Sequence, residues 1–214
     1  SLASGNLRLR GVLARTALSE YQLDELALRW RPVALWRGRL DIDALELGVL
    51  RLRTLAPDPT PPSLPADLRL PLALHIERLR LARLEVGSVA LGPLLAKVDS
   101  DGEQHRLWVS EARTPWGEGS GELTLAGAQP FALSGVWRHG GQLDGAPING
   151  EARLSGDLHA LQLALALGYQ HSALGARATL APSSPAPTMS AAGLAVLGLL
   201  MVAVGLVVVR SRGE

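Results

Sequence analysis

The sequence predicts an all-β fold, an antiparallel-type meander over most of the chain, followed by one C-terminal transmembrane helix. Three observations carry that expectation. Residues 6–181 are strand-like text cut at short intervals by Gly and Pro. Within that text leucines recur on a broken beat of two and three residues. The tail, by contrast, is one unbroken apolar run.

The beat is plainest in HIERLRLARLEVGSVAL (75–91), where Ile76, Leu79, Leu81, Leu84, Val86, Val89 and Leu91 are apolar and Arg and Glu fill most of the gaps. At roughly 100° per residue these positions scatter around a helix and leave it no face to bury. In a strand each step of two stays on one side, and each step of three is a one-residue slip that a β-bulge or tight corner supplies. The beat returns at Leu40, Ile42, Leu45, Leu47, Leu50, Leu52 and Leu55, and less regularly at Tyr21, Leu23, Leu26, Leu28 and Trp30. A pentapeptide-repeat solenoid would share the five-residue period. It needs small residues two before each central leucine, however, where Leu79 and Leu40 stand.

Taken in order, NLRLRGV alternates over Leu7 and Leu9. RPVALWRGRL (31–40) holds one helical turn, with Pro32 suited to a first helical position and Gly38 to the stop. APDPTPPSLPA (56–66) carries five prolines and is an extended loop or linker. Strand segments follow at 68–86, 88–98, 104–112, 119–126, 130–138, 148–155, 160–169 and 173–180, separated by DSDGE, TPWGEG, GAQP, RHGGQLDGAP and SGDL, all rich in turn residues. In ALQLALALGYQ (160–170), Leu161, Leu163, Leu165, Leu167 and Tyr169 share one side and small or polar residues the other. Neither side is charged, so both are expected to touch protein or lipid.

The tail divides into a linker (182–190), an apolar span AAGLAVLGLLMVAVGLVVV (191–209) and a basic end (210–214). Nineteen helical residues reach about 28 Å, the thickness of a bilayer's hydrocarbon layer. Arg210 and Arg212 follow the span at once, and no Lys or Arg lies between Arg177 and its start. The positive-inside rule then puts the C-terminus in the cytoplasm and the β domain (1–181) outside the inner membrane, in the periplasm.

Composition excludes several function classes. The 21 basic and 20 acidic residues are spread along the chain, unlike the clustered base of a nucleic-acid surface, so no nucleic-acid partner is expected. There is no cysteine, hence no disulfide, thiol nucleophile or cysteine metal site. With no initiator Met and no cationic-then-apolar leader, the expectation is a processed product or a fragment.

Candidate chemistry is sparse. His75, His105, His139, His159 and His171 never pair at ligand spacing, so no metal site is expected. Asp41 and Asp43 alternate along a strand, which reads as a solvated edge. DSDG (99–102) lacks the later acids of a calcium loop and reads as a β-turn. GEGSG (117–121) lacks the spacing of a nucleophile elbow. The pairs Arg8/Arg10, Arg29/Arg31, Arg51/Arg53 and Arg78/Arg80 are either a basic stripe for anionic headgroups or the solvent face of half-buried strands. No catalytic residue and no cofactor emerge, and the expectation is a protein that is not an enzyme.

Two resemblances add to this reading. LALRWRPVALWRGRLDIDALELGVLRLR (26–53) and PFALSGVW…LDGAPINGEARLSGDLHALQLALAL (130–167) resemble the periplasmic region of the TamB family of AsmA-like proteins, a likeness of texture and phrase order covering most of 1–181. The resemblance implies a curved, elongated sheet folded like a taco shell, with a leucine-lined groove that shelters phospholipid acyl chains. The expected lining is Leu40, Ile42, Leu45, Leu47, Leu79, Leu81, Leu84, Val86, Leu161, Leu163, Leu165 and Leu167. It further implies roles in outer-membrane protein assembly, autotransporter secretion and phospholipid transport between membranes, with an Omp85-type outer-membrane assembly protein as partner. APTMSAAGLAVLGLLMVAVGLVVVRSR (186–212) is similar to the IPTL-CTERM sorting signal, through Pro187, Thr188, Ser190 and Gly193, with Met189 in the usual Leu position. That likeness implies an exosortase-like processing enzyme. TamB-like proteins are anchored at the other end and are several times longer. Two alternatives therefore stand beside the groove: an exported envelope or surface protein processed at its C-terminal signal, and a non-functional fragment.

Overall fold

The computed structural model describes residues 5–15, 19–54, 67–86, 89–114, 117–143, 146–158, 160–169 and 172–180. The linker, the expected span 191–209, the sorting motif, Arg210 and Arg212 lie outside the described residues, as does the proline-rich stretch 56–66. Among the described residues no helix is long and apolar enough to cross a membrane.

Twelve strands make one curved, unclosed sheet. They are β1 (Asn6–Arg15), β2 (Ser19–Arg31), β3 (Arg39–Thr54), β4 (Ala73–Val86), β5 (Val89–Leu91), β6 (Leu94–Ser100), β7 (Gln104–Thr114), β8 (Gly117–Ala126), β9 (Ala132–Leu143), β10 (Ala146–Asp157), β11 (Leu161–Tyr169) and β12 (Ser172–Leu180). Each pairs with the next in chain order, except that β4 takes β6 along most of its length and β5 at its far end. The expected helical turn is a 3-10 turn, Pro32–Arg37, with Pro32 leading and Gly38 closing it in the left-handed region at φ 66°.

The meander has one exception to its antiparallel pairing: β3 and β4 run parallel, Leu47 opposite Leu81 and Leu50 opposite Leu84. A parallel pair needs a long crossover, and residues 55–72 supply it. The strand expected from residue 68 begins only at Ala73, because 67–72 is the returning arm of that crossover. The arm crosses the turns at one end of the sheet, where Leu68 N–H donates to Gly127 O (2.8 Å) and Leu70 N–H to Gly102 O (2.9 Å).

The broken leucine beat resolves into slips of register. β3 and β4 each carry one residue more than their outer neighbours: the β2–β3 ladder shifts at Arg29/Trp30 and the β4–β6 ladder between Ile76 and Leu79. β7 carries another extra residue between Val109 and Ala112. Elsewhere the three-residue steps lie side by side, Leu23/Leu26 on β2 beside Leu47/Leu50 on β3, Leu81/Leu84 on β4 and Leu91/Leu94 at the β5–β6 break. Matched steps on neighbouring strands form a crease across the first half of the sheet. Bulged strands bend and gain twist, which curls the sheet. From β8 to β12 the ladders run without a shift.

Candidate functional site

Hydrophobic side chains collect on one face of the sheet from β2 to β11. Leu47, Leu81, Leu84 and Leu91 are buried together, with Leu23, Leu26, Leu50 and Leu94 packed against them. Leu94 also packs on the next cluster, Ala96, Val109 and Ala112, which Trp137 joins from β9. Trp137 in turn reaches Ala152, Leu154 and Leu163. The chain of contacts ends at Leu68, Leu125, Phe131 and Leu133, with Leu123 and Leu161 against both of the last two clusters. No second sheet or long helix among the described residues is stacked on this face. Leu81 and Leu84 are nonetheless only 3% and 2% exposed, as expected when a sheet curls its apolar side inward.

Of the expected lining residues, Leu45, Leu47, Leu79, Leu81, Leu84, Leu161, Leu163 and Leu165 belong to these clusters, and Leu40, Ile42, Val86 and Leu167 do not. Ile42, Leu47, Leu81, Leu84 and Leu163 are buried; Leu40, Leu45, Leu79, Leu161 and Leu165 are half-buried; Val86 and Leu167 are exposed. The sequence reading missed the middle of the face. β6 to β10 contribute Leu94, Val109, Leu123, Leu125, Leu133, Trp137 and Leu154. The alternation in RLWVSEA and ELTLA was the available signal.

One end of the face is plugged. Phe131, the chain's single Phe, is fully buried among Leu68, Leu125 and Leu133. The returning arm is latched there by His105, whose Nε2 lies 3.0 Å from the Leu68 carbonyl while Nδ1 lies 2.8 Å from Ser100 Oγ. Both contacts are satisfied by a neutral ring that donates from Nε2 and accepts from the serine hydroxyl. Ser100, 4% exposed, also accepts from Gly102 N–H. This serine–histidine pair is thus engaged in holding the arm.

The opposite face is a lattice of ion pairs. Arg51 bridges three strands, with Nη1 2.8 Å from Asp24 Oδ1 and Nε 3.0 Å from Glu85 Oε2. Arg31 pairs with Asp43, and Glu151 lies between Arg153 and Arg138. His75 sits between Asp99 Oδ2 (2.8 Å) and Glu77 Oε2 (3.1 Å). Exposed pairs of this kind contribute little to stability, because water and salt screen them. Their consequence is to keep this face in water. A shallow depression of about 540 Å³ lies across β10, β11 and β12, with Glu151, Arg153, Leu165, Ala166, Ala176 and Arg177 among its lining residues.

The solvated edge expected at Asp41 and Asp43 is corrected. β3 is an interior strand, and Asp41 is only 5% exposed, with its Oδ2 2.7 Å from Arg39 Nη2. DSDG is the turn expected of it: Asp101 Oδ1 accepts from the N–H groups of Gln104 (2.7 Å) and Glu103 (2.9 Å). These bonds, Gln104 first, hold the Asp101 carboxyl below its ordinary range. Among the described residues no group of three or more His, Asp or Glu could hold a metal ion. His159 and His171 lie outside them.

Comparison with protein-family models, with curated proteins and with solved structures finds no match to this chain.

Proposed function

We propose that the chain is a membrane-tethered, non-enzymatic β-groove protein that shelters phospholipid acyl chains in its curled apolar face. The observation that supports this reading best is the continuity of that face. It runs from Leu23 on β2 to Leu165 on β11 with no stacked layer among the described residues, while the reverse face is salt-bridged. An ordinary sandwich would bury such a face against a second sheet about 10 Å away. Leucine and alanine with few aromatics suit flexible hydrocarbon better than a shaped small-ligand pocket. The apolar run 191–209 then acts as the tether, with Arg210 and Arg212 on the cytoplasmic side. In the manner of the TamB family that 26–53 and 130–167 resemble, the groove would serve outer-membrane assembly and phospholipid passage through the periplasm. Lipid mass spectrometry on residues 1–181, exported and purified without detergent, tests the proposal. Stoichiometric phospholipid is the expected result; a lipid-free monomer would overturn it.

A further inference from the structure

Trp36, on the 3-10 turn between β2 and β3, is 92% exposed, and Val33 on the same turn is 72% exposed. Leu35 is exposed beside them, as is Leu72, whose neighbour Ala73 donates its N–H to Gly38 O (3.2 Å). A tryptophan and three aliphatic side chains grouped in water are a surface that wants a cover. The turn carries no acid and ends on Arg37. Around it Arg29, Arg31 and Arg39 stand against Asp41 and Asp43. Its backbone closes on itself, Gly38 N–H donating to Leu35 O (3.0 Å), which lowers the cost of leaving water.

We infer that this corner of the sheet docks on a lipid bilayer, with Trp36 and Val33 entering the headgroup region and Arg37 meeting lipid phosphate. Size, chemistry and the path of the chain select that occupant. A specific protein partner covers about 800 Å² and roughly 20–30 residues, far more than one convex turn offers. An indole with aliphatic neighbours and an arginine suits the boundary between headgroup and hydrocarbon, where one end of the ring is apolar and its N–H stays wet. The path of the chain points the same way. β12 finishes at Leu180, opposite Leu161 at the start of β11. Traced back through the ladders, that is the end of the sheet at which β2 finishes and β3 begins. From Leu180 to the apolar run at Ala191 the chain reaches at most about 40 Å, so the bilayer lies close to this end. This rests on the tether proposed above, which sets the bilayer that is touched. Asp101, Glu103 and Asp157 stand on later turns of the same end, and the contact is therefore confined to the β2–β3 corner.

The full chain reconstituted into vesicles of phosphatidylglycerol and phosphatidylethanolamine tests this. Because the chain has no cysteine, an environment-sensitive fluorophore can be carried on Val33→Cys alone, or on Arg53→Cys, exposed at the far end of β3. Nitroxide-labelled lipids should quench the Val33→Cys label about threefold more than the Arg53→Cys label, as fits a group sunk about 5–10 Å into the headgroup boundary. Adding Trp36→Glu, at an exposed position, should abolish that difference with circular dichroism unchanged. Flotation of the same vesicles reports the tether separately. A chain that floats with equal quenching of the two labels overturns this inference and leaves the tether standing, whereas a chain that does not float overturns both. A Val33→Cys label that is blue-shifted but unquenched would mean that a protein surface covers the turn. That result, or a quenching difference that survives Trp36→Glu, would overturn the inference too.

Discussion

Trp137 on β9 stands directly opposite Gly121 on β8, and a Cβ on that glycine would come within 2.9 Å of the indole Cε3. Gly119, two residues earlier on the same strand, would drive its own Cβ into the ring's far edge. The pair of glycines makes the bed in which Trp137 lies, and Trp137 is the side chain that joins the β7 cluster to the β10–β11 cluster. Gly119→Ala, whose Cβ would have three Trp137 ring atoms as its nearest neighbours, should therefore displace the ring and destabilise the sheet by about 1–3 kcal/mol, the usual cost of overpacking. Urea unfolding followed by tryptophan fluorescence checks both the loss and the altered ring environment.

The two exposure classes on the apolar face give a second prediction. Leu84→Ala, at 2% exposure, should cost about 2–5 kcal/mol. Leu174→Ala, at 66% exposure, should change the stability of the monomer by less than about 0.5 kcal/mol. Denaturant midpoints for the two variants, measured under one condition, decide it.

The latch on the returning arm gives a third. His105→Ala leaves the Leu68 carbonyl and the Ser100 hydroxyl without this partner, which should cost about 1–3 kcal/mol. Limited proteolysis should then cut within 55–72 before the sheet unfolds. A variant cut no faster than the parent would show that the latch carries no weight.

Acid should weaken the fold through its depressed carboxyls. Asp101 is held low by the Gln104 and Glu103 amides, and Glu151 first by its bond to Arg153 and then by Arg138. A carboxyl whose folded pKa lies below its unfolded value contributes stability that is fully present above the unfolded pKa. That contribution is lost as pH falls through the folded one. The thermal midpoint should fall as the solution passes below the ordinary carboxylate range. Asp101→Asn should be less stable than the parent near neutrality, with the gap closing in acid.

Much of this architecture was legible in residues. The three-residue steps at Ile42/Leu45 and Ile76/Leu79 announced slips that the strands do contain, those at Leu47/Leu50 and Leu81/Leu84 run in register instead, and Pro32 with Gly38 marked a helical turn. The parallel pairing of β3 and β4 was not legible, because it depends on where a proline-rich crossover returns and not on either strand's own pattern. Asp41 looked solvated for a related reason: alternation tells which side a residue faces but not whether its strand is an edge. Phe131 and Leu68 escaped notice because their burial comes from turns meeting at one end of the sheet. Strand periodicity carries no signal for that meeting.

The most direct test places a photo-cross-linker at paired positions on the two faces. p-Benzoylphenylalanine at Leu47 and at Leu81 looks into the curled face, and at the neighbouring Glu46 and Arg80, both exposed, it looks out. Irradiated in cells, the inward pair should yield covalent phospholipid adducts by mass spectrometry and the outward pair should not. Lipid adducts absent from all four positions, or equal at all four, would contradict a groove that holds acyl chains.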